Sequence, residues 1–274
     1  MLVRRVRSVK RGASLRPTDP RGLTFPPMPG LLARWLRLHR YLLDDFLGGP
    51  KLVKLAWAIN LQKGGTLAFV LALMLAYGNF TPTAWTYAAL HGSYGLVWLL
   101  KERVCPDPAW QRRVTVGGAL NAWLAVLGPY WVAPYLLVTR RVEQPPWVLF
   151  AATTLYAVGL VLMMSSDAQK YFVLRVRRGL ITDGFFARTR NPNYLGEMML
   201  YASFAILAGH VAPWLVLAWV WGGTFFPNMA QKDASMSRYP EFAAYKARTG
   251  RLFPRLLSPS GGGVAPSGPS ASAA

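Results

Sequence analysis

Two arginines, two asparagines and a glutamate fall within fifteen residues, Ala187 to Tyr201 (ARTRNPNYLGEMMLY), at the edge of an apolar run. Pro192 suits the first position of a helix, where its missing N–H costs nothing, and Asn191 suits the N-cap before it. Asn193, Tyr194 and Glu197 then lie within two turns of a helix start, and Asn193 and Glu197, four apart, share a face. Free N–H groups and the positive end of the helix dipole favour an anion such as phosphate there. Arg188 and Arg190 arrive from the preceding extended segment with planar donors suited to phosphate. Glu197 lies inside the apolar run, where an ionisable residue is read as functional. The plainer alternative is that Arg190 and Glu197 pair with each other.

Two further polar sets flank this one. In Ser165–Arg175, Asp167, Gln169 and Lys170 follow directly on apolar residues. A helix continuing through them brings Asp167, Lys170 or Tyr171, and Arg175 towards one face; an interfacial ion pair is the plainer alternative. The segment then runs through Arg177, Arg178 and Gly179 to a turn at Asp183-Gly184. The third set, between Pro227 and Gly250, holds Lys232, Arg238, Tyr239, Tyr245, Lys246 and Arg248. Such residues clamp a ring and its phosphates, or anchor a helix at an interface. Taken together, the three sets point to one shared anionic site.

The elements that would position them are apolar helices. Of 274 residues, 53% are hydrophobic and only 15% charged, below the roughly 25% of a soluble domain. Six apolar runs span roughly 64–78, 84–100, 115–138, 147–165, 194–209 and 212–226. The first borrows the apolar turns from Leu55 to Leu61, the fifth begins inside the opening motif, and the last two form a tight hairpin. The fold predicted is an all-α, polytopic membrane helix bundle of about six transmembrane helices with a cytoplasmic C-terminal helical segment. Residues 31–47 place Arg34, Arg37 and Arg40 among apolar positions at helical spacing, a pattern for an amphipathic helix on the membrane surface. Residues 1–30 are basic, with Asp19 the one acid, and read as a disordered arm or a transit peptide. Residues 257–274 read as a disordered low-complexity tail. The membrane-embedded domain is therefore 31–256.

Net charge is +20, from 31 Lys and Arg against 11 Asp and Glu. Among long apolar runs this favours the anionic membrane surface or an anionic cofactor over nucleic acid. Lys and Arg concentrate in 101–114, 166–193 and the segment after 228, and are absent from the turns 79–83 and 210–213. That alternation predicts both termini in the cytoplasm, with Arg140 and Arg141 contradicting it on the outer side. A lone Cys105 and scattered His39, His91 and His210 predict no disulfide and no metal site. Asn79-Phe80-Thr81 is a formal glycosylation sequon in a turn too close to the membrane to be modified.

Asp167-x-Gln169-Lys170, then Gly179-Leu-Ile-Thr-Asp-Gly-Phe-Phe-Ala-Arg-Thr-Arg190-Asn-Pro-Asn-Tyr-Leu-Gly-Glu197, then Tyr239-Pro-Glu-Phe-x-x-Tyr245-Lys-x-Arg-Thr with Phe253-Pro254, resembles the steroid 5-alpha-reductase C-terminal family and the related sterol reductases. The likeness covers about residues 150–256, the cofactor-binding half. It implies a membrane-embedded reductase that takes NADPH from the cytoplasm and a lipophilic sterol, steroid or isoprenoid-like enone from the bilayer. By motif position Asp167, Arg190, Asn193, Tyr194, Glu197, Arg238 and Tyr245 line the cofactor pocket, joined by Lys170, Arg175, Arg188 and Tyr239 from the polar sets. Reducing a conjugated C=C needs an acid at the carbonyl oxygen. Tyr94 is the first candidate and His91 the second, with a packed aromatic and a core histidine as plainer alternatives. No glutamate partner for the acid is placed; Glu102 is near in sequence but faces the cytoplasm. The same superfamily includes isoprenylcysteine carboxyl methyltransferases, which use S-adenosylmethionine and have an Arg-His-Pro-x-Tyr core. Asn191 and Gly196 are the positions that separate the two chemistries, favouring the reductase. A silent membrane scaffold is a third class. For a eukaryotic chain the resemblance implies the endoplasmic reticulum.

Overall fold

The computed structural model describes residues 30–256. The basic arm expected over 1–30, Gly30 apart, and the tail over 257–274 lie outside the described residues. The described chain is an all-α membrane bundle, as its apolar runs predict. Helix α1 spans Gly30–Asp44, α2 Leu55–Tyr77, α3 Pro82–Val104 and α6 Pro146–Val176. Between α3 and α6 one continuous helix is assembled from α4 (Val116–Ala122), a π turn (Trp123–Leu127), a 3-10 turn (Gly128–Trp131) and α5 (Val132–Thr139). Helices α7 (Pro192–Ala208) and α8 (Val211–Val220) form the expected hairpin. A second π turn, Trp221–Phe225, carries α8 into α9 (Phe226–Met236), followed by α10 (Phe242–Arg248). Strands β1 (Val53–Lys54) and β2 (Arg113–Val114) pair antiparallel at the feet of α2 and α4.

Three of these helices, Leu55–Tyr77, Val116–Thr139 and Pro146–Val176, are long and apolar enough to cross a membrane. α3 has the length but carries a polar stripe of Tyr87, His91, Tyr94 and Lys101, all buried. α7 has 17 residues and nine of them are buried, so it is the core helix around which the others stand. The sixth run extends ten residues past its predicted end, because the helix continues through the π turn into α9.

Both π turns have the same cause. Proline lacks the N–H that would bond the carbonyl four residues back. Pro129 thus frees Ala125 and Pro227 frees Gly223. Trp219 Nε1 donates to the Ala125 carbonyl at 2.9 Å, and Trp35 Nε1 to the Gly223 carbonyl at 2.7 Å. The second bond holds α1 across the bundle, with Leu36 buried beneath it and Leu31, Leu38 and Tyr41 exposed.

α6 and α7 pack backbone to backbone. A Cβ on Gly196 would stand 2.5 Å from the Gly159 carbonyl oxygen, and one on Gly159 would stand 2.7 Å from the Gly196 oxygen. Small residues at such a crossing are how membrane helices approach closely. Gly196, which the sequence offers as a marker of chemistry, is in this fold a packing residue.

The outer turns resolve two smaller points. Arg141 donates to the Tyr77 and Gly78 carbonyls at 2.7 and 3.3 Å, so its charge caps the C-terminus of α2. That local task accounts for a basic residue where the loop pattern expects none. Asn79 is fully buried and its amide donates to the Val138 carbonyl at 2.9 Å, so the sequon serves as a turn staple.

Candidate functional site

Pro192 does open α7, as the sequence predicts, but Asn191 caps nothing with its side chain. Its Nδ2 donates instead to the Arg251 carbonyl at 2.8 Å. Asn193 and Tyr194 follow in the first turn. Tyr194 packs edge-on against Phe225 at 4.9 Å, and Asn193 Oδ1 is buried without a hydrogen-bond partner. An orphaned acceptor of that kind costs stability unless a ligand donor meets it.

Glu197, one turn further, reaches the interior of the bundle. Its Oε1 accepts from Tyr94 Oη at 3.3 Å and pairs with Lys63 Nζ at 3.7 Å. Lys63 donates to Tyr94 Oη at 3.0 Å and to Tyr201 Oη in a short bond. Its ammonium also lies over the rings of Tyr94, Tyr201, Trp98 and Tyr130, at 4.5, 4.6, 5.1 and 5.7 Å. Tyr130 stacks on Tyr201 at 3.9 Å. Helices α2, α3 and α7 and the 3-10 turn thus converge on one ammonium, one carboxylate and three phenols. Lys63 and Tyr201 are not among the residues that the sequence singles out: Lys63 falls between the apolar run 64–78 and the turns Leu55 to Leu61 that it borrows, and Tyr201 closes the polar motif inside the fifth run. A lysine amid that span is the signal that could have found it. The glutamate missing beside Tyr94 is Glu197, brought from 103 positions away.

His91 is drawn into a different environment. Its Nδ1 meets Tyr87 Oη at 2.9 Å and its ring stacks on Phe204 at 4.1 Å, and it makes no bond to Glu197. It is a core histidine beside the site.

Seven residues along α3 from Tyr94, roughly 10 Å at the helical rise, Lys101 binds Asp167 of α6 at 2.7 Å. Lys170 binds Asp107 of the 105–112 loop at 3.1 Å. Burial alone would raise the Asp107 carboxyl, but the Lys170 ammonium and the Ala109 N–H outweigh it and hold it below its usual range. These two ion pairs line a cleft of about 500 Å³ with Cys105 and Arg175. Arg175 stacks on Tyr171 at 4.7 Å, so of the pair left open in the sequence Lys170 takes the carboxylate and Tyr171 the guanidinium. Gln169 clamps the following turn, accepting from Phe185 N at 3.0 Å and donating to the Asp183 carbonyl at 3.1 Å.

The remaining predicted residues stand behind or beside this cleft. Arg190 is 4% exposed and has its donors occupied: Nε and Nη2 go to the two Asp233 oxygens at 2.9 and 3.1 Å, and Nη1 to the Thr249 carbonyl at 2.8 Å. It ties the start of α7 to α9 and α10, so neither the expected phosphate nor the alternative partner Glu197 receives it. Tyr245 is likewise buried, donating to the Phe186 carbonyl at 2.8 Å. Arg188 donates to the carbonyls of Arg255 and Leu256, each at 3.3 Å. Arg238 is exposed and lies over the ring of Tyr239. Lys232, by contrast, donates to the Arg190 carbonyl at 3.1 Å and lies within the field of Lys170, Asp167 and Asp107. Burial first, and Lys170 second, lower its pKa to about 8. Among the described residues no group of three or more His, Cys, Asp or Glu gathers to hold a metal.

Residues 120–249 match a family described as a protein of unknown function, DUF1295. That family belongs to the steroid 5-alpha-reductase C-terminal-like superfamily. The match takes in α5 through α10, and with them Asp167, Glu197 and Lys232, but not Lys63 or Tyr94. Two Schizosaccharomyces pombe proteins are similar to the chain. The uncharacterized protein C594.04c is 30% identical over 137 residues, 46% of this chain and 39% of that protein. The uncharacterized protein C7D4.09c is 32% identical over 79 residues, 26% of each. The chain thus spans well under half the length of either relative.

Proposed function

We propose that this protein is a membrane-embedded, NADPH-dependent reductase of a C=C bond in a lipophilic enone. One observation carries the reading: a phenol, Tyr94, is held against a carboxylate, Glu197, and an ammonium, Lys63, with Tyr94 and Lys63 buried inside the bundle. Polarising an enone carbonyl requires an acid in a site from which water is excluded. Methyl transfer to a nucleophile requires no such acid. Tyr94 would donate to the carbonyl oxygen, and His91 would pack behind it.

The residues at the start of α7 suit a nicotinamide cofactor. Asn193 Oδ1 is an unpartnered buried acceptor, matched by a carboxamide NH2. The cleft between α3 and α6 offers Lys101, Lys170 and Arg175 to phosphates and Asp107 and Asp167 to ribose hydroxyls. When bound, the cofactor supplies the hydride. This chain's own residues orient it, exclude water and hold the proton. The lipophilic substrate would enter from the bilayer and the cofactor from the cytoplasm, with the endoplasmic reticulum as the membrane concerned in a eukaryotic cell.

Thermal-shift titration of the detergent-solubilised protein with NADPH and with S-adenosylmethionine tests this reading. NADPH stabilises the protein with a dissociation constant in the micromolar range or tighter, and Asn193→Leu weakens it about tenfold by removing one hydrogen bond. A shift with S-adenosylmethionine and none with NADPH identifies a methyltransferase instead. No shift with either identifies a non-catalytic membrane protein. Arg190→Ala is a poor probe, because it opens the α7–α9 clasp.

A further inference from the structure

We infer that Lys63 is the proton reservoir of the site, feeding Tyr94 and refilled through Glu197; this rests on the reductase reading above. The geometry is that of a graded wire. Glu197 is 22% exposed, Lys63 3% and Tyr94 fully buried, so the three groups lead from the mouth of the bundle to its interior. The links are 3.0 Å from Lys63 to Tyr94 and 3.3 Å from Tyr94 to Glu197, both hydrogen bonds, and 3.7 Å from Glu197 to Lys63, an ion pair that one bridging water or a small side-chain shift closes for proton transfer. The Glu197 carboxylate and the faces of four aromatic rings lie around the Lys63 nitrogen. Tyr201 and Glu197 from α7, Tyr94 from α3 and Tyr130 from the 3-10 turn face it, with His91 and Lys101 of α3 in its field.

A phenol that has given up its proton in this place cannot recover one from bulk water, because no part of it is exposed. Lys63 can restore it directly. As the π electrons of the C=C shift onto the carbonyl oxygen, the Tyr94 O–H bond breaks and its proton passes to that oxygen. A Lys63 N–H bond breaks to re-form the phenol, and water at the mouth reprotonates Lys63 by way of Glu197. A bound nicotinamide would supply the hydride to the β-carbon, and the resulting enol would tautomerise to the saturated ketone, losing its O–H proton as the α-carbon gains one. Tyr94 is the catalytic residue in this scheme, and Lys63 acts through it.

The test uses the full chain in lipid nanodiscs with Lys63→Met, Lys63→Arg and Glu197→Gln. Infrared spectra read the carboxyl directly and need no substrate. Wild type and Lys63→Arg keep Glu197 as a carboxylate, whereas Lys63→Met gains a protonated-carboxyl stretch that the added Glu197→Gln removes. If Lys63→Met gains none, Lys63 does not hold the charge of Glu197 and the reservoir is refuted. In the second arm, multiple-turnover oxidation of NADPH by cholest-4-en-3-one slows about a hundredfold in Lys63→Met, the scale of one general acid. NADPH affinity stays within twofold of wild type, and Lys63→Arg recovers part of the rate. Full-speed turnover by Lys63→Met with NADPH bound overturns the reservoir and leaves the reductase standing. Failure of the wild type to bind NADPH overturns the reductase, and the infrared arm still decides whether Lys63 and Glu197 are one ionic unit.

Discussion

Lys232 carries a charge that its surroundings oppose. With a folded pKa of about 8 against 10.5 for a free lysine, the unfolded chain binds more protons between those two pH values. Stability contributed by this residue therefore rises with pH across that window, and its cost is fully present below about 8. A phosphate in the adjoining cleft reverses the balance by favouring the ammonium. Titration calorimetry near pH 9, in two buffers of different ionisation enthalpy, should show NADPH binding with proton uptake, and Lys232→Met should abolish the uptake. Binding without uptake in the wild type would place the phosphates elsewhere. Residues of this kind were the most legible in the sequence. Lys170, Asp167 and Glu197 stood out because a charge next to an apolar run demands a reason. What the sequence could not convey was which donors were already taken. Arg190 reads as a free phosphate clamp until Asp233 appears opposite it, 43 positions away. Lys63 failed for the converse reason, because its charge is diluted in a long apolar helix whose partners come from two other helices.

The elements were legible where a local pattern sets them. Pro192 and the αL glycines at 78 and 209 end or begin helices by backbone rules alone. The crossing of α6 and α7 was not, since a glycine opposite a glycine has no signature in one sequence. Gly196→Ala brings a methyl to 2.5 Å from the Gly159 oxygen and the Met163 nitrogen, both backbone atoms that cannot rotate away. We expect a loss of about 1–3 kcal/mol, the usual cost of overpacking, seen as a lower melting temperature in detergent. Gly65→Ala meets nothing within 4 Å, so it serves as the control and leaves stability unchanged or slightly higher. Equal melting temperatures for the two variants would mean the crossing has slack.

For the whole molecule, the bundle follows from hydropathy, but its sidedness is an inference from charge. Maleimide labelling of Gly179→Cys and Phe80→Cys in sealed membranes tests it, each in a Cys105→Ser background because Cys105 lines the cleft. Gly179 should react from the cytoplasmic side and Phe80 only after permeabilisation; the reverse pattern inverts the protein. Sidedness also fixes which end of the bundle can receive a charged cofactor, the end where Lys101, Lys170 and Lys232 gather. The two proline joints have a consequence for life in membranes of unequal thickness. Helices that meet a thinner or thicker hydrocarbon layer must tilt, bend or shear. α6 and α7 cannot shear, because their backbones touch at Gly159 and Gly196. The adjustable places are Trp123–Leu127 and Trp221–Phe225, where each missing N–H frees a carbonyl that a tryptophan from another helix meets. Bilayer thickness would thus be absorbed by bending around the site, while the separation of α6 and α7 at Gly159 and Gly196 stays constant.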